Sequence, residues 1–329
     1  MLRCLAFLFV VSLHLFLYNG FYSEPQTGIL MWVANSVRII CSSCIGLFLL
    51  ITGYLKSAKP INKKYFTGLI PIVTAYVIVT VVLYFAFAFI DGNPISVKLL
   101  IKNILHFSYY GWYVEMYIGL ILVSPIINLA IEKIEKPRYL LAMAVVMVFL
   151  SALHTLTPYP ILTNYWATLY PFTFYIIGAV IKKLQPKVSP LLGFAAVAAA
   201  MLFSLVNMMH MNGSYERSME KSYGGFWTTL IAVILFVSLY RVQLGKKTAK
   251  IFAFVAGGVF EAYLISVLFD SHLYVLVPAW NNPKFYIFSW LCITLPIFVV
   301  TILVGKLLHF FVAKAGGLLT KAVYKLFKL

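Results

Sequence analysis

The chain has 329 residues, of which 63% are hydrophobic and 11% are charged, and its mean hydropathy is +0.95. A soluble domain of this length cannot bury so much apolar surface, so the composition excludes a soluble protein and predicts an integral membrane protein. The 26 Lys and Arg residues outnumber the 9 Asp and Glu residues, and the positive-inside rule accounts for that excess without a nucleic-acid partner.

Ten apolar segments follow one another along the chain. They are residues 2–22, 29–55, 68–90, 111–131, 139–156, 166–182, 190–209, 226–244, 251–276 and 285–305. Because these runs are too long for the strands of a membrane barrel, we expect an all-α polytopic protein with about ten transmembrane helices.

The distribution of basic residues predicts the orientation of these helices. With the N-terminus in the cytoplasm, twenty of the 26 basic residues fall on the cytoplasmic side, and Arg38 lies within the membrane. The outer side receives only Lys98, Lys102, Arg217, Lys221 and Lys284. This asymmetry predicts that both termini are cytoplasmic.

The first segment, MLRCLAFLFVVSLHLFLY, carries Arg3 and His14 in an apolar run. A basic residue before an apolar run is also typical of a signal peptide, but no small-x-small cleavage site follows, so we expect a retained helix. The two side chains are separated by about three helical turns, which places them on one face about 16 Å apart. An ionisable group at mid-membrane depth is a functional-site hypothesis by default.

The second segment carries a polar stripe. Asn35, Arg38 and Ser42 have the spacing i, i+3, i+7 and share one face of a helix. A buried arginine needs an acceptor, and the two candidates are Glu115 in the fourth segment and Glu261 in the ninth. Glu115 can compensate Arg38, orient a catalytic imidazole or bind a sugar hydroxyl.

Small residues predict two points of close helix packing. Ser42, Gly46, Leu49 and Gly53 form a face of mostly small residues on the second segment, and Gly257-Gly258 precede Glu261 on the ninth.

The ninth segment also carries a second stripe beyond Glu261. It consists of Tyr263, Ser266 and Asp270. We expect Asp270 and the nearby His272 to reach the outer interface, where a solvated role is more common than a catalytic one.

The residues after the last apolar segment differ in composition. Residues 1–305 are predicted to form the membrane domain, and residues 306–329 a basic amphipathic tail on the anionic inner leaflet, with a break at Gly316-Gly317.

Few groups in the sequence can carry chemistry. No G-x-S-x-G elbow is present, and no two of the six histidines have metal-ligand spacing, so neither a serine nucleophile nor a metal site is predicted. His14 is left either as a general base or acid, or as a buried histidine satisfied by a hydrogen bond between helices.

Four stretches together resemble the acyltransferase 3 family of bacterial integral-membrane acyltransferases, which modify cell-surface glycans. Arg3 and His14, with ten residues between them, match its R-x10-H motif. The other three stretches are LFLLITGYL at 47–55, GWYVEMYIGLILVSPIIN at 111–128 and VFEAYLISVLFD at 259–270. The resemblance extends over essentially the whole chain.

The resemblance implies transfer of an acyl group, usually acetyl, from cytoplasmic acetyl-CoA to a hydroxyl of a surface polysaccharide or lipid-linked sugar. It implies that His14 is the catalytic base and that Arg3 binds the donor, and it places the protein in the bacterial cytoplasmic membrane. We expect acyl-CoA as a donor substrate and no bound cofactor. Glu115 is a second candidate catalytic residue, and Arg38, Glu261, Ser42 and Asn35 are expected to form a supporting polar network.

Two other function classes remain open at this stage. A transporter or flippase of charged glycan precursors uses intramembrane Arg and Glu residues along its path, and a non-catalytic subunit of a polysaccharide-assembly complex binds no CoA.

Overall fold

The structure is a computed structural model that describes residues 1–25, 27–60, 62–157, 162–209, 223–276, 288 and 290–326. Its described part contains helices and no strand, which confirms the all-α prediction. The α-helices are α1 Leu2–Tyr18, α2 Ile29–Ser42, α3 Cys44–Lys56, α4 Lys63–Thr67, α5 Ile70–Asp91, α6 Val97–Leu105, α7 Trp112–Lys133, α8 Pro137–Ala152, α9 Tyr170–Leu184, α10 Pro190–Met209, α11 Phe226–Leu239, α12 Lys246–Ala256, α13 Val259–Leu273 and α14 Leu295–Leu326. A π-helical turn, Trp290–Thr294, leads into α14.

Six stretches of the described residues are long and apolar enough to cross a membrane. They are Ile29–Lys56, Tyr65–Asp91, Trp112–Lys133, Pro137–Thr155, Val259–Leu276 and Trp290–Lys325. Other apolar helices, among them Leu2–Tyr18, are shorter. A count of ten crossings and the side of each terminus therefore stay predictions. Arg217, Lys221, Lys284 and residues 285–287 and 289, which entered those predictions, lie outside the described residues.

Helix α1 lies in the centre of the bundle. Every side chain from Val10 to Phe16 is buried, as expected for a helix that is apolar on all its faces. Its neighbours include α2, α3 and α13. This arrangement carries His14 into the protein interior and away from lipid.

Close packing through small residues is confirmed on both predicted helices. A side chain on Gly46 would come within 2.7 Å of the Phe174 ring, and one on Gly53 would collide with the Tyr175 carbonyl. On α13, the backbone at Gly258 lies against Gly305 of α14. Helix α3 therefore packs directly on α9, and α13 on α14.

A short interruption divides the second predicted segment into α2 and α3. The hydroxyls of Ser42 and Ser43 donate to the carbonyls of Ile39 and Ile40, each at 2.6 Å. Serine bonds to preceding carbonyls compete with the regular helix ladder and bend helices. The polar stripe on α2 thus ends where the helix is interrupted at Ser43.

The predicted break at Gly316-Gly317 is wrong, because α14 continues through both glycines to Leu326. Helix α14 packs along α5 and the short helix α4 that precedes α5. A Cβ on Gly316 would lie 3.5 Å from Pro71, and the Tyr324 and Thr67 hydroxyls are 3.2 Å apart. These tertiary contacts offset the unfavourable helix propensity of glycine, which is about 1 kcal/mol per residue.

Replacing Gly178 with alanine tests the contact between α3 and α9. The new methyl group would collide with the Leu50 carbonyl, so we expect unfolding to be easier by about 1–3 kcal/mol. The matched control is Gly119→Ala, where no atom lies within 4 Å of the added carbon. Thermal unfolding in detergent should show a lower Tm for Gly178→Ala only, and equal values for the two variants would contradict the packing described here.

Candidate functional site

The interior histidine of α1 is paired with an acid from α13. His14 Nδ1 lies 2.6 Å from Asp270 Oδ2. The histidine is 8% exposed and the aspartate is fully buried. When Asp270 is ionised its carboxylate can only accept, and Nδ1 then carries the proton in this pair. The other ring nitrogen, Nε2, is left with its lone pair, which is the form of imidazole that acts as a general base.

A tyrosine donates a second hydrogen bond to the same carboxylate oxygen. The Tyr110 hydroxyl lies 2.9 Å from Asp270 Oδ2, and its ring is 4.6 Å from the His14 ring between centroids. The Tyr18 hydroxyl is 3.2 Å from that of Tyr110. Because the single Tyr110 proton points to the carboxylate, Tyr18 donates to Tyr110. The result is a hydrogen-bonded chain from Tyr18 through Tyr110 and Asp270 to His14.

The turn before α7 fixes the position of Tyr110. Phe107 and Tyr109 have positive φ angles of 48° and 59°, a conformation that is costly for bulky residues. It is held by ring stacking of Tyr76 on Phe107 at 5.1 Å and of Phe87 on Tyr109 at 5.3 Å. The strained turn therefore gives Tyr110 a defined place beside the His14–Asp270 pair.

A cavity of about 910 Å³ opens at one end of the bundle. Its walls are mainly apolar, but its lining includes the basic side chains of Arg3, Lys56, Lys59 and Lys321. Arg3 lies in the first turn of α1, Lys56 is the last residue of α3, and Lys321 lies near the end of α14. The cavity thus combines a cationic mouth with an apolar interior, within the size range of ligand pockets.

The inner end of this cavity approaches His14. Its lining includes Val10, one turn before His14 on α1, and Tyr263 of α13. The Tyr263 hydroxyl donates to the Tyr110 carbonyl at 3.0 Å, and the two rings stack at 5.5 Å. The rings of Tyr263 and Tyr110 therefore lie between the cavity and the histidine.

The family of the chain follows from a comparison with known families. The family model described as an acyltransferase domain, of the acyltransferase 3 family, matches residues 1–309. The chain belongs to the acyltransferase 3 family. No curated protein and no solved structure was found to match it. With its apolar helices, this acyltransferase is a multi-pass membrane protein.

The structure gives Arg38 a different partner from the one predicted. Its Nε donates to the Tyr22 hydroxyl at 2.9 Å, and its guanidinium lies 5.3 Å above the Tyr22 ring. Glu261 instead lies 2.8 Å from His309 Nδ1, and Glu115 is exposed on α7. Neither Glu115 nor Glu261, the two predicted acceptors, is among these contacts of Arg38.

Of the other members of the predicted polar group, Ser42 contacts another helix and Asn35 contacts its own. Ser42 lies 3.2 Å from the Thr228 hydroxyl, and the Asn35 amide donates to the Met31 carbonyl at 3.1 Å. The supporting roles of Asn35, Arg38, Ser42 and Glu261 stay predictions, as does the catalytic role of Glu115.

Sequence reasoning missed Asp270 and Tyr110. Asp270 was expected in a solvated position but has no exposed surface. Tyr263, Ser266 and Asp270 share the stripe seen in the sequence, and all three are buried. The position of Asp270 on one stripe with Tyr263 and Ser266 could therefore have predicted its burial. No such pattern was available for Tyr110, because it lies in a turn and not on a helix.

Replacing Asp270 with asparagine should lower kcat for acyl transfer by about 10²–10⁴-fold, because the imidazole loses the carboxylate that sets its tautomer and stabilises its protonated form. The matched control is Asp91→Asn, since Asp91 Oδ1 pairs with His272 Nε2 at 3.0 Å nearer the surface. Turnover measured in membranes at equal protein levels should fall only in the first variant, and wild-type turnover in Asp270→Asn would refute the assigned role.

Replacing Tyr110 with phenylalanine removes one bond to Asp270 and leaves the ring in place. A hydrogen bond to a charged acceptor is worth about 1.5–3 kcal/mol, so we expect kcat to fall by about 10–100-fold. Tyr109→Phe is the control, since its hydroxyl accepts only a 3.4 Å bond from Asn103. An equal fall in both variants would mean that the turn, and not the hydrogen bond, matters.

Proposed function

We propose that this protein is a membrane O-acyltransferase that moves an acyl group, acetyl in the simplest case, from cytoplasmic acyl-CoA to a hydroxyl of a cell-surface polysaccharide or lipid-linked sugar. In this proposal the chain crosses the bacterial cytoplasmic membrane ten times and both termini are cytoplasmic. The observation that carries it is the buried His14–Asp270 pair next to a cavity with a basic mouth.

The donor end of the proposal rests on the charge and size of the cavity. Acyl-CoA carries several negative charges on its phosphates and a thioester at the end of a long arm. Arg3, Lys56 and Lys59 supply positive charge at the mouth, and a cleft of one sign raises the local concentration of an oppositely charged substrate. All three belong to the set that the charge pattern assigns to the cytoplasm, which supports a cytoplasmic donor.

The acceptor end rests on the free nitrogen of His14. As the acceptor oxygen attacks the thioester carbonyl, Nε2 takes the hydroxyl proton. The carbon–sulfur bond then breaks, and the leaving thiolate takes a proton back from the imidazolium. Asp270 stabilises the imidazolium that forms between these two steps. The products are the acylated sugar and free CoA, so no covalent intermediate on the protein is needed.

The rings of Tyr263 and Tyr110 affect how the thioester can reach His14. The cavity lining reaches Val10 and Tyr263, whereas the base lies one helical turn further along α1. The thioester must therefore pass the rings of Tyr263 and Tyr110 before it meets Nε2. A barrier of this kind keeps water from the base until the donor is in place, which limits hydrolysis of the thioester.

The proposal is tested with purified protein in lipid nanodiscs, acetyl-CoA labelled on the acetyl group, and surface polysaccharide or lipid-linked sugar extracted from the cells of origin. Wild-type protein should transfer label to the glycan and release CoA. The variant His14→Gln should be slower by about 10²–10⁴-fold, because glutamine cannot accept the proton. The control is His272→Gln, which removes a histidine paired with Asp91.

Two results would overturn the proposal. If acetyl-CoA is not consumed while a labelled glycan precursor crosses the membrane, the protein is a transporter. If CoA is neither bound nor consumed and no glycan moves, the protein is a non-catalytic subunit. Wild-type turnover in His14→Gln would remove His14 from the mechanism.

A further inference from the structure

Helix α14 is longer than a membrane crossing requires. It has 32 residues, which corresponds to about 48 Å of helix against about 30 Å of hydrocarbon core. The family match ends at residue 309, so the last four turns lie outside the matched domain. Their position in the bundle is nevertheless fixed.

Contacts hold this terminal part of α14 against the cavity. His309 Nδ1 lies 2.8 Å from Glu261 Oε1, and the Tyr324 hydroxyl is 3.2 Å from that of Thr67. Gly316 packs beside Pro71. These contacts lie on both sides of residues 317–321 along the helix, so that stretch is anchored at both ends.

One face of the terminal part of α14 forms a wall of the cavity. The lining residues are His309, Val312, Ala313, Gly316, Gly317, Thr320 and Lys321. They recur every three or four positions, which is the period of one helix face. Lys314 and Lys325 are exposed and do not belong to the cavity lining. The wall therefore presents small residues in its middle and a single lysine at the mouth.

Gly317 leaves space in this wall. A Cβ built on it meets no atom within 4 Å, and the residue belongs to the cavity lining. Its neighbour Gly316 differs, since a Cβ there reaches Pro71. A larger side chain at 317 would therefore occupy cavity volume without a clash in the bundle.

Lys321 adds a positive charge that the described protein does not neutralise. The one acid in the cavity lining is Glu261, and its carboxylate is already paired with His309. No carboxylate lies within ion-pair distance of Lys321 in the described part of the chain. Together with Arg3, Lys56 and Lys59, it forms a cluster of four cations at one mouth, which fits a ligand with several phosphate charges.

We propose that the terminal part of α14 completes the donor site: Lys321 binds a phosphate of the acyl-CoA donor, and Gly317 provides the room beside it. This inference rests on the proposed function, and it assigns donor binding to residues beyond the matched family domain. Both residues act on donor binding and not on the chemical step, because His14 lies outside the cavity lining, one helical turn beyond Val10 on α1.

The first experiment measures binding of CoA to the full chain in nanodiscs. Lys321→Gln should raise the Kd for CoA by about 3–10-fold, as expected for loss of one partly solvated contact to phosphate. Lys321→Arg should restore most of the affinity, and Lys314→Gln should leave it unchanged. In turnover assays KM for acetyl-CoA should rise with little change in kcat.

Pantetheine, which lacks phosphates, separates a phosphate contact from a structural effect. Lys321→Gln should not change its affinity. An equal loss of affinity for pantetheine and CoA would overturn the assignment of Lys321, and so would an unchanged Kd for CoA.

The second experiment fills the space at position 317. Gly317→Leu should weaken CoA binding by about tenfold or more, because the new side chain occupies ligand volume. Ala322→Leu is the matched control, since that residue is exposed and outside the cavity lining. Both variants should keep the wild-type Tm. Unchanged CoA affinity in Gly317→Leu would overturn the role given to Gly317.

The two proposals fail in different ways. If the wild-type protein binds neither CoA nor acetyl-CoA, the donor assignment fails and this inference fails with it. If the wild-type protein binds CoA and transfers acetyl groups while all α14 variants behave like it, the proposed function stands and only the role of α14 is refuted.

Discussion

The burial of His14 against Asp270 is the constraint on which the rest of the bundle depends. Two ionisable groups are tolerated in an apolar interior when they are hydrogen-bonded to each other, and removing one partner of such a pair costs about 3–5 kcal/mol. The contact joins the first helix to the thirteenth, 256 positions apart in sequence. Helix α1 therefore lies among other helices that bury it completely from Val10 to Phe16.

Helix α13 contributes both to the His14 pair and to the cavity, because its two acids lie on opposite faces of the helix. Nine residues separate Glu261 from Asp270, which is two and a half helical turns and places them on opposite faces. Asp270 accepts from His14, while Glu261 pairs with His309 of α14. One rigid helix thus orients the imidazole and fixes a wall of the cavity, so the spacing between donor site and base is set by a single element.

The sequence predicted those features that depend on a local period. Arg3 and His14 lie on one continuous helix, and Gly46 and Gly53 contact α9 as a small-residue face should. Partners between helices were not predictable in this way. Arg38 was expected to pair with Glu115 or Glu261, but the turn Phe21–Ser23 between α1 and α2 places Tyr22 beside it. Charge alone does not say which helices are neighbours.

The depth of Asp270 shows why position along a segment is a poor guide to burial. Asp270 lies near the end of an apolar segment, where a side chain is ordinarily expected to be exposed to solvent. In the bundle, however, the turn containing Tyr110 covers this end of α13, and Tyr274 closes it from the other side with a hydroxyl that donates to the Val11 carbonyl. An interfacial position thereby becomes part of the interior. The acid can then hold the proton on His14 Nδ1, which leaves Nε2 free for an acceptor hydroxyl.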